Sequence, residues 1–281
     1  MQYEQTGSGP SLYWLTVILT VIGPDGQSNQ GRYLLDTGGK TLITRKVVGP
    51  NLKNPKSVLF GSGEVIGYPQ MGVSIPELGV ENLGVVHGVF KTPFANEIDG
   101  ILPLVPNKED PRFSMPVELV EFDFVSRKMY VNHGGLIYNN IPNKICQSVG
   151  QRRWLYPNRP WIRGDLVLYN NLGEKQRHEN VWMMLDTGAT VAATFFDRMF
   201  GEIMACSKDI QLVQMDVVIN NETISCPLFE TSYWPVCVPD EDGKDRIYNA
   251  VVGIQFLNHL KSLSYRIRPN DDQVVDVCIV K

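Results

Sequence analysis

Short apolar runs broken by clusters of Gly, Pro, Asn and Asp recur along the chain, which is the pattern of a mainly β protein. Residues 12–22 are rich in Val, Ile, Tyr, Trp and Thr and predict a strand, followed by a turn at Gly23-Pro24-Asp25-Gly26. Residues 31–35 and 40–48 predict two more strands. Residues 58–68 read as a hairpin, in which an apolar run ending at Phe60 meets a Gly61-Ser62-Gly63 tip before alternation resumes. A phosphate-binding loop is the rival for this stretch, but the spacing is not GxGxxG and no Lys follows as in a P-loop. Further strands are expected at 85–90, 128–131, 136–138, 161–169, 181–185, 214–219, 223–229, 264–267 and 274–280, with an Asn220-Asn221 turn between 214–219 and 223–229. Helices are expected at 114–124, with Ser114 as N-cap and Glu118 and Glu121 outward, at 194–204 and, more briefly, at 256–260. The stretch 139–160, rich in Asn, Pro, Gln and Arg, reads as the connection between two halves, placed at 1–148 and 149–281.

The two halves carry the same short motif. Leu34-Leu35-Asp36-Thr37-Gly38 recurs as Met184-Leu185-Asp186-Thr187-Gly188. Hydrophobic residues before a tight polar turn read as a buried strand ending in a loop, so each carboxylate is expected at a strand end, partly desolvated and with a moved pKa. Two such carboxylates in one pocket would share a proton, because adjacent like charges do not both ionise cheaply. That pair suits acid–base activation of a water molecule. One Asp-Thr-Gly arises by chance in a chain of this length with odds of roughly one in twenty at ordinary residue usage; two, one per half and each after an apolar run, are far rarer. Later in each half an apolar segment sits at a turn, Ile101-Leu102 in the first and Val251-Val252-Gly253 in the second.

A length of 281 residues suits two lobes with ample core, and 43% hydrophobic with 20% charged residues is ordinary globular composition. The net charge of −4, from 26 basic and 30 acidic residues without a basic block, does not invite nucleic acid. The run 12–22 is too short to span a membrane, and no membrane partner is expected. As a secretory signal it is preceded by Glu4 with no Lys or Arg, and no clear cleavage site follows. No pro-segment is evident, so a mature or trimmed form is expected. Cys146, Cys206, Cys226, Cys237 and Cys278 show neither CxxC spacing nor His at zinc intervals, so no metal site is expected. One or two disulfides plus a free thiol is the simplest account. Asn221-Glu222-Thr223 matches the N-glycosylation sequon, a triplet that also arises by chance.

On the two Asp-Thr-Gly loops, the hairpin between them and the apolar segments that follow each, the chain resembles the pepsin-like aspartic proteases, from Tyr13 to Ile279. The resemblance implies a mainly β, bilobal pepsin-like acid protease fold: two similar β-barrel-like lobes, a few short helices and a cleft between lobes. It implies hydrolysis of a polypeptide substrate, sensitivity to pepstatin-type inhibitors, and no metal or organic cofactor. Asp36 and Asp186 would be the catalytic residues, holding a water between them. Thr37 and Thr187 would cross-link the two loops, and Gly38 and Gly188 would leave room for the substrate backbone. Phe60, Gly61 and Ser62 would form the flap; Phe60, Ile43 and Ile101 are apolar cleft candidates, which favours apolar residues around the cleaved bond. Cys206 and Cys237 match the family's second-lobe disulfide, leaving Cys146, Cys226 and Cys278 either as small core residues or in a bridge. A bridge argues for an oxidising compartment, secreted or lumenal: extracellular, vacuolar or endosomal. A monomer is expected.

Several positions depart from the family pattern. Pepsins usually carry Ser or Thr after each Asp-Thr-Gly, donating to the outer carboxylate oxygen. Gly39 and Ala189 have no side-chain donor, so the lower pKa of the pair should rise and the optimum should fall in milder acid. The usual flap Tyr and its Trp partner are replaced by Phe60 and Ile43, a matched apolar pair. Pro103 stands where the first lobe usually has Gly, which alters the support of the first loop. The connection between the two loops is also shorter than in typical members. The leading expectation is an aspartic endopeptidase. The rival is a catalytically weak or inert pepsin-like protein that binds without cutting, as an inhibitor or recognition module. A homodimerising scaffold with an incidental motif is the third.

Overall fold

A computed structural model describes residues 1–6, 14–45, 56–60, 63–88, 97–107, 109–132, 144–150, 159–190, 193–195, 211–228, 231–233, 249–267 and 274–281. Contacts divide the chain into two compact units, Met1–Thr6 with Trp14–Val117, and Glu118–Lys281. Almost all described regular structure is β, as the alternation of the sequence predicts.

The first unit carries β1 (Glu4–Thr6), β2 (Trp14–Ile22), β3 (Ser28–Asp36), β4 (Ile43–Thr44), β5 (Lys56–Phe60), β6 (Gly63–Ile75), β7 (Val80–Gly88) and β8 (Gly100–Pro103). They form one sheet in the order β1-β2-β3-β8-β4-β7-β6-β5. The predicted turn closes β2 onto β3: Gly26 takes φ +80°, which glycine adopts without a steric cost, and its N–H donates to Gly23 O at 3.0 Å. The hairpin expected at 58–68 is the β5–β6 pair, in register Phe60↔Gly63 to Lys56↔Gly67. Its tip residues, Gly61 and Ser62, lie outside the described residues.

The second unit holds two sheets. One joins β9 (Leu119–Asp123), β10 (Lys128–Val131), β11 (Lys144–Gly150), β19 (Ser262–Ile267) and β20 (Val274–Val280) in the order β10-β9-β19-β20-β11. The other joins β12 (Trp161–Asn170), β13 (Lys175–Leu185), β14 (Ala193–Phe195), β15 (Leu212–Ile219), β16 (Glu222–Pro227), β17 (Thr231–Tyr233) and β18 (Asn249–Val252) in the order β16-β15-β12-β13-β18-β14-β17. A single turn of helix, α1 (Ile254–Leu257), is buried throughout; the sequence places it two residues later.

The helix expected at 114–124 is instead a 3₁₀ turn at Pro111–Phe113 followed by β9. The period decides it. Met115, Val117 and Leu119 are buried while Pro116 and Glu118 are exposed, an alternation of two rather than 3.6. Glu121, expected outward, is buried in β9, with Tyr130 of β10 and Ser264 of β19 as its register partners on either side. The helix expected at 194–204 begins as β14, and 196–204 lie outside the described residues. The expected connection at 139–160 contains β11, whose seven residues from Lys144 to Gly150 all pair with β20. Contacts therefore separate the units at 117/118, where the sequence suggests 148/149: β9 and β10 belong to a sheet completed by β19 and β20.

In that five-stranded sheet one face is apolar and buried, built from Val120, Phe122, Leu263, Tyr265, Val277 and Ile279. The opposite face carries a transverse row, Tyr130, Glu121, Ser264, Cys278 and Cys146, each opposite the next. Cys146 and Cys278 are joined as a disulfide across this row. Cys226 is a free, buried thiol whose pKa burial pushes up to about 12. Cys206 and Cys237, matched in sequence to a bridge, lie outside the described residues.

Candidate active site

Each unit builds the same loop. In the first, β3 pairs in parallel with β8, Leu34↔Ile101, Leu35↔Leu102 and Asp36↔Pro103. In the second, β13 pairs in parallel with β18, Met184↔Val251 and Leu185↔Val252. The following layer repeats as well: β4 lies antiparallel to β8 and parallel to β7, and β14 lies antiparallel to β18 and parallel to β17. The duplicated motif is thus one strand arrangement made twice.

Asp36 ends β3, 7% exposed, and Thr37 behind it is wholly buried. The Asp36 Oδ1 accepts the backbone N–H of Gly38 and of Gly39, both at 2.7 Å. Asp186 follows β13, half-buried, and its Oδ1 accepts the N–H of Gly188 at 2.8 Å; Thr187 is wholly buried. The loops differ at the next residue. Ala189 N–H donates to the backbone oxygen of Asp186 at 3.3 Å, whereas Gly39 N–H turns to the carboxylate. A Cβ on Gly39 would lie 2.5 Å from Asp36 Oδ2, so the missing side chain also makes space for the carboxylate.

Pro103 fits its position. The Asp36 backbone oxygen is met by Leu104 N–H at 2.9 Å, so the ladder does not use an N–H at 103. On the other side, β4 pairs with β8 only at Ile43↔Ile101 and Thr44↔Gly100, short of Pro103. The matching Gly253 has φ −94° and ψ −172°, an extended conformation that does not demand glycine.

Ile43 and Ile101 are register partners, packed in a cluster with Trp14, Leu34, Val86, Ile98 and Phe113. They are 0% and 4% exposed, so both are core side chains in this structure. The second loop has a counterpart cluster of Met184 and Val251, with Trp161 and Ala189 packed against it. Phe60 is the last residue of β5, and its side chain lies outside the described residues.

The sequence did not single out the brace behind the first loop. Tyr33, Gly100, Thr44, His87 and Tyr68 run in one row across five strands. The buried Tyr33 hydroxyl lies 3.0 Å from Thr44 Oγ1, reaching over Gly100, where a Cβ would collide with the Tyr33 ring and with Ile43 O. Burial drives the Tyr33 pKa up to about 12, although the Thr44 hydrogen bond opposes it. Burial also lowers the His87 pKa, against a backbone hydrogen bond at Thr44 that raises it. Asp99 ties the neighbouring strands: Arg32 N–H donates to its Oδ2 at 2.9 Å, its own N–H to Arg32 O at 2.7 Å, and Arg45 N–H to its carbonyl at 2.9 Å. The signals were a Tyr in an aliphatic strand and an Asp-Gly opening an apolar run.

No protein-family model matches the chain, and no curated protein matches it in sequence. Among solved structures it is similar to the aspartic proteinase from Irpex lacteus, with a TM-score of 0.62 over 95% of this chain and 94% of that one, at 12% identity. At that identity the likeness shows the fold. The fold is mainly β and pepsin-like, of the acid protease type, with the two units described above. The disulfide is compatible with a secreted or lumenal protein. Among the described residues no helix is long and apolar enough to cross a membrane.

Proposed function

We propose that this chain is an aspartic endopeptidase that hydrolyses peptide bonds by a water activated between Asp36 and Asp186. What carries the reading is the loop built twice: in each unit a carboxylate ends or directly follows a strand paired in parallel with an apolar strand, and its Oδ1 accepts the N–H two residues on. One carboxylate, ionised, takes a proton from the water as the oxygen attacks the scissile carbonyl. The other, protonated, donates to the developing oxyanion. Thr37 and Thr187, buried behind their carboxylates, hold the loops, and Gly38 and Gly188 supply N–H groups to them. The substrate is a polypeptide in extended conformation; with Ile43 and Ile101 in the core, a preference for apolar residues around the cleaved bond rests on Phe60 of the β5–β6 hairpin.

Cleavage of a denatured protein across about pH 2 to 7 tests this. The expected result is cleavage blocked by pepstatin-type inhibitors and reduced at least about 100-fold by Asp36→Ala or Asp186→Ala. Lacking Ser or Thr donors at 39 and 189, the enzyme should work best in milder acid than pepsin, and a maximum at about pH 2 would sink that part. No cleavage anywhere in the range would favour the binding protein, a reading that Gly39, Phe60 and Pro103 keep in view.

A further inference from the structure

We propose that Asn221 is a site of N-linked glycosylation. The sequon Asn221-Glu222-Thr223 sits at the tip of the β15–β16 hairpin, where Ile219↔Glu222 closes a two-residue loop of Asn220 and Asn221. Both loop residues adopt left-handed backbone, φ 51° and 67°, the conformation a tight hairpin turn requires and one that Asn tolerates. Asn221 therefore lies in the turn, beyond the paired residues of both strands. Asn221, Glu222 and Thr223 are all exposed, and among the described residues the Asn221 amide makes no hydrogen bond. A transferase therefore reaches the amide and the Thr223 hydroxyl without opening any packed element.

A second observation points to the same compartment. The Cys146–Cys278 bridge is favoured in an oxidising environment, and the secretory lumen, which is one, also holds the glycosylation machinery. The co-reactant is a lipid diphosphate-linked oligosaccharide. The Asn221 Nδ2 attacks the anomeric carbon, a C–N bond forms, the bond from that carbon to the phosphate oxygen breaks, and the lipid diphosphate leaves with the electron pair. The amide proton passes to a base of the transferase. The attached sugar would stand at the end of β16, an outermost strand of the seven-stranded sheet among the described residues. Outermost strands are where sheets of separate molecules pair, and a bulky hydrophilic group there opposes it.

The test is translation of the full chain, behind a cleavable secretory leader, in the presence of microsomes, followed by endoglycosidase digestion. The imported, protease-protected chain should carry one oligosaccharide, removed by the enzyme. Asn221→Gln and Thr223→Val should each abolish it, while Thr223→Ser, which keeps the hydroxyl, and Asn220→Gly, which keeps the turn, should retain it. An imported wild-type chain without the sugar, or a sugar that persists in Asn221→Gln, overturns the proposal.

Discussion

Gly39 is where a missing side chain has the most direct chemical consequence. A donor-bearing Ser at this position would, from sequence alone, be expected to restore a hydrogen bond. The structure argues otherwise, because any Cβ at 39 comes within 2.5 Å of the Asp36 carboxylate. Gly39→Ala should displace that carboxylate and lower kcat/KM by about tenfold or more, with the thermal midpoint little changed. Unchanged kcat/KM would show that Asp36 reorients freely. Gly100 plays a different part. Gly100→Ala should cost about 3 kcal/mol in denaturant unfolding, since the neighbours in its way are a backbone oxygen and the buried Tyr33 ring. Tyr33→Phe should cost less, about 1–2 kcal/mol, by leaving the buried Thr44 hydroxyl without that partner. Equal costs would mean that the ring's passage over Gly100 does not matter.

Among the elements, the strands that deliver each carboxylate were the most legible, because aliphatic runs before Asp-Thr-Gly leave few alternatives. The 58–68 hairpin was equally plain from its glycine tip. What failed was the 114–124 segment, where Glu118 and Glu121 look like the polar side of a helix. Only pairing with β10 and β19, one of them far along the chain, makes it a strand. That pairing buries Glu121, whose Oε1 has no hydrogen-bond partner among the described residues. Burial raises its pKa, against the pull of Lys144 and Arg266. A carboxyl whose folded pKa is raised favours the fold below its unfolded pKa, and that contribution is lost as pH rises through the folded value. Glu121→Gln should therefore raise the unfolding midpoint relative to wild type at about pH 7, with the gain shrinking toward about pH 4. A gain that grew in acid would reverse the assignment.

At the scale of the whole molecule, the sequence revealed the duplication but not where contacts divide the chain, since composition at 139–160 says nothing of a strand partner near residue 280. Nor could spacing choose among the cysteines. The Cys146–Cys278 bridge spans a sequence separation of 132, and a loop of that size is worth about 5 kcal/mol in the chain-entropy account. Cys146→Ala with Cys278→Ala, or reduction of the wild type, should lower the melting temperature of the second unit and leave the first unit's transition in place. A single transition that shifts as a whole would mean the units unfold together.

The strand order of the second unit also sets a timetable for synthesis. Every described strand of the first unit is made before residue 104, so that sheet can form early. The strand β9, by contrast, leaves the ribosome with one apolar face and no β19 to lie beside; the seven-stranded sheet must be made first. Through that interval Val120 and Phe122 stay uncovered, which makes this stretch the point where a nascent chain would most need a chaperone.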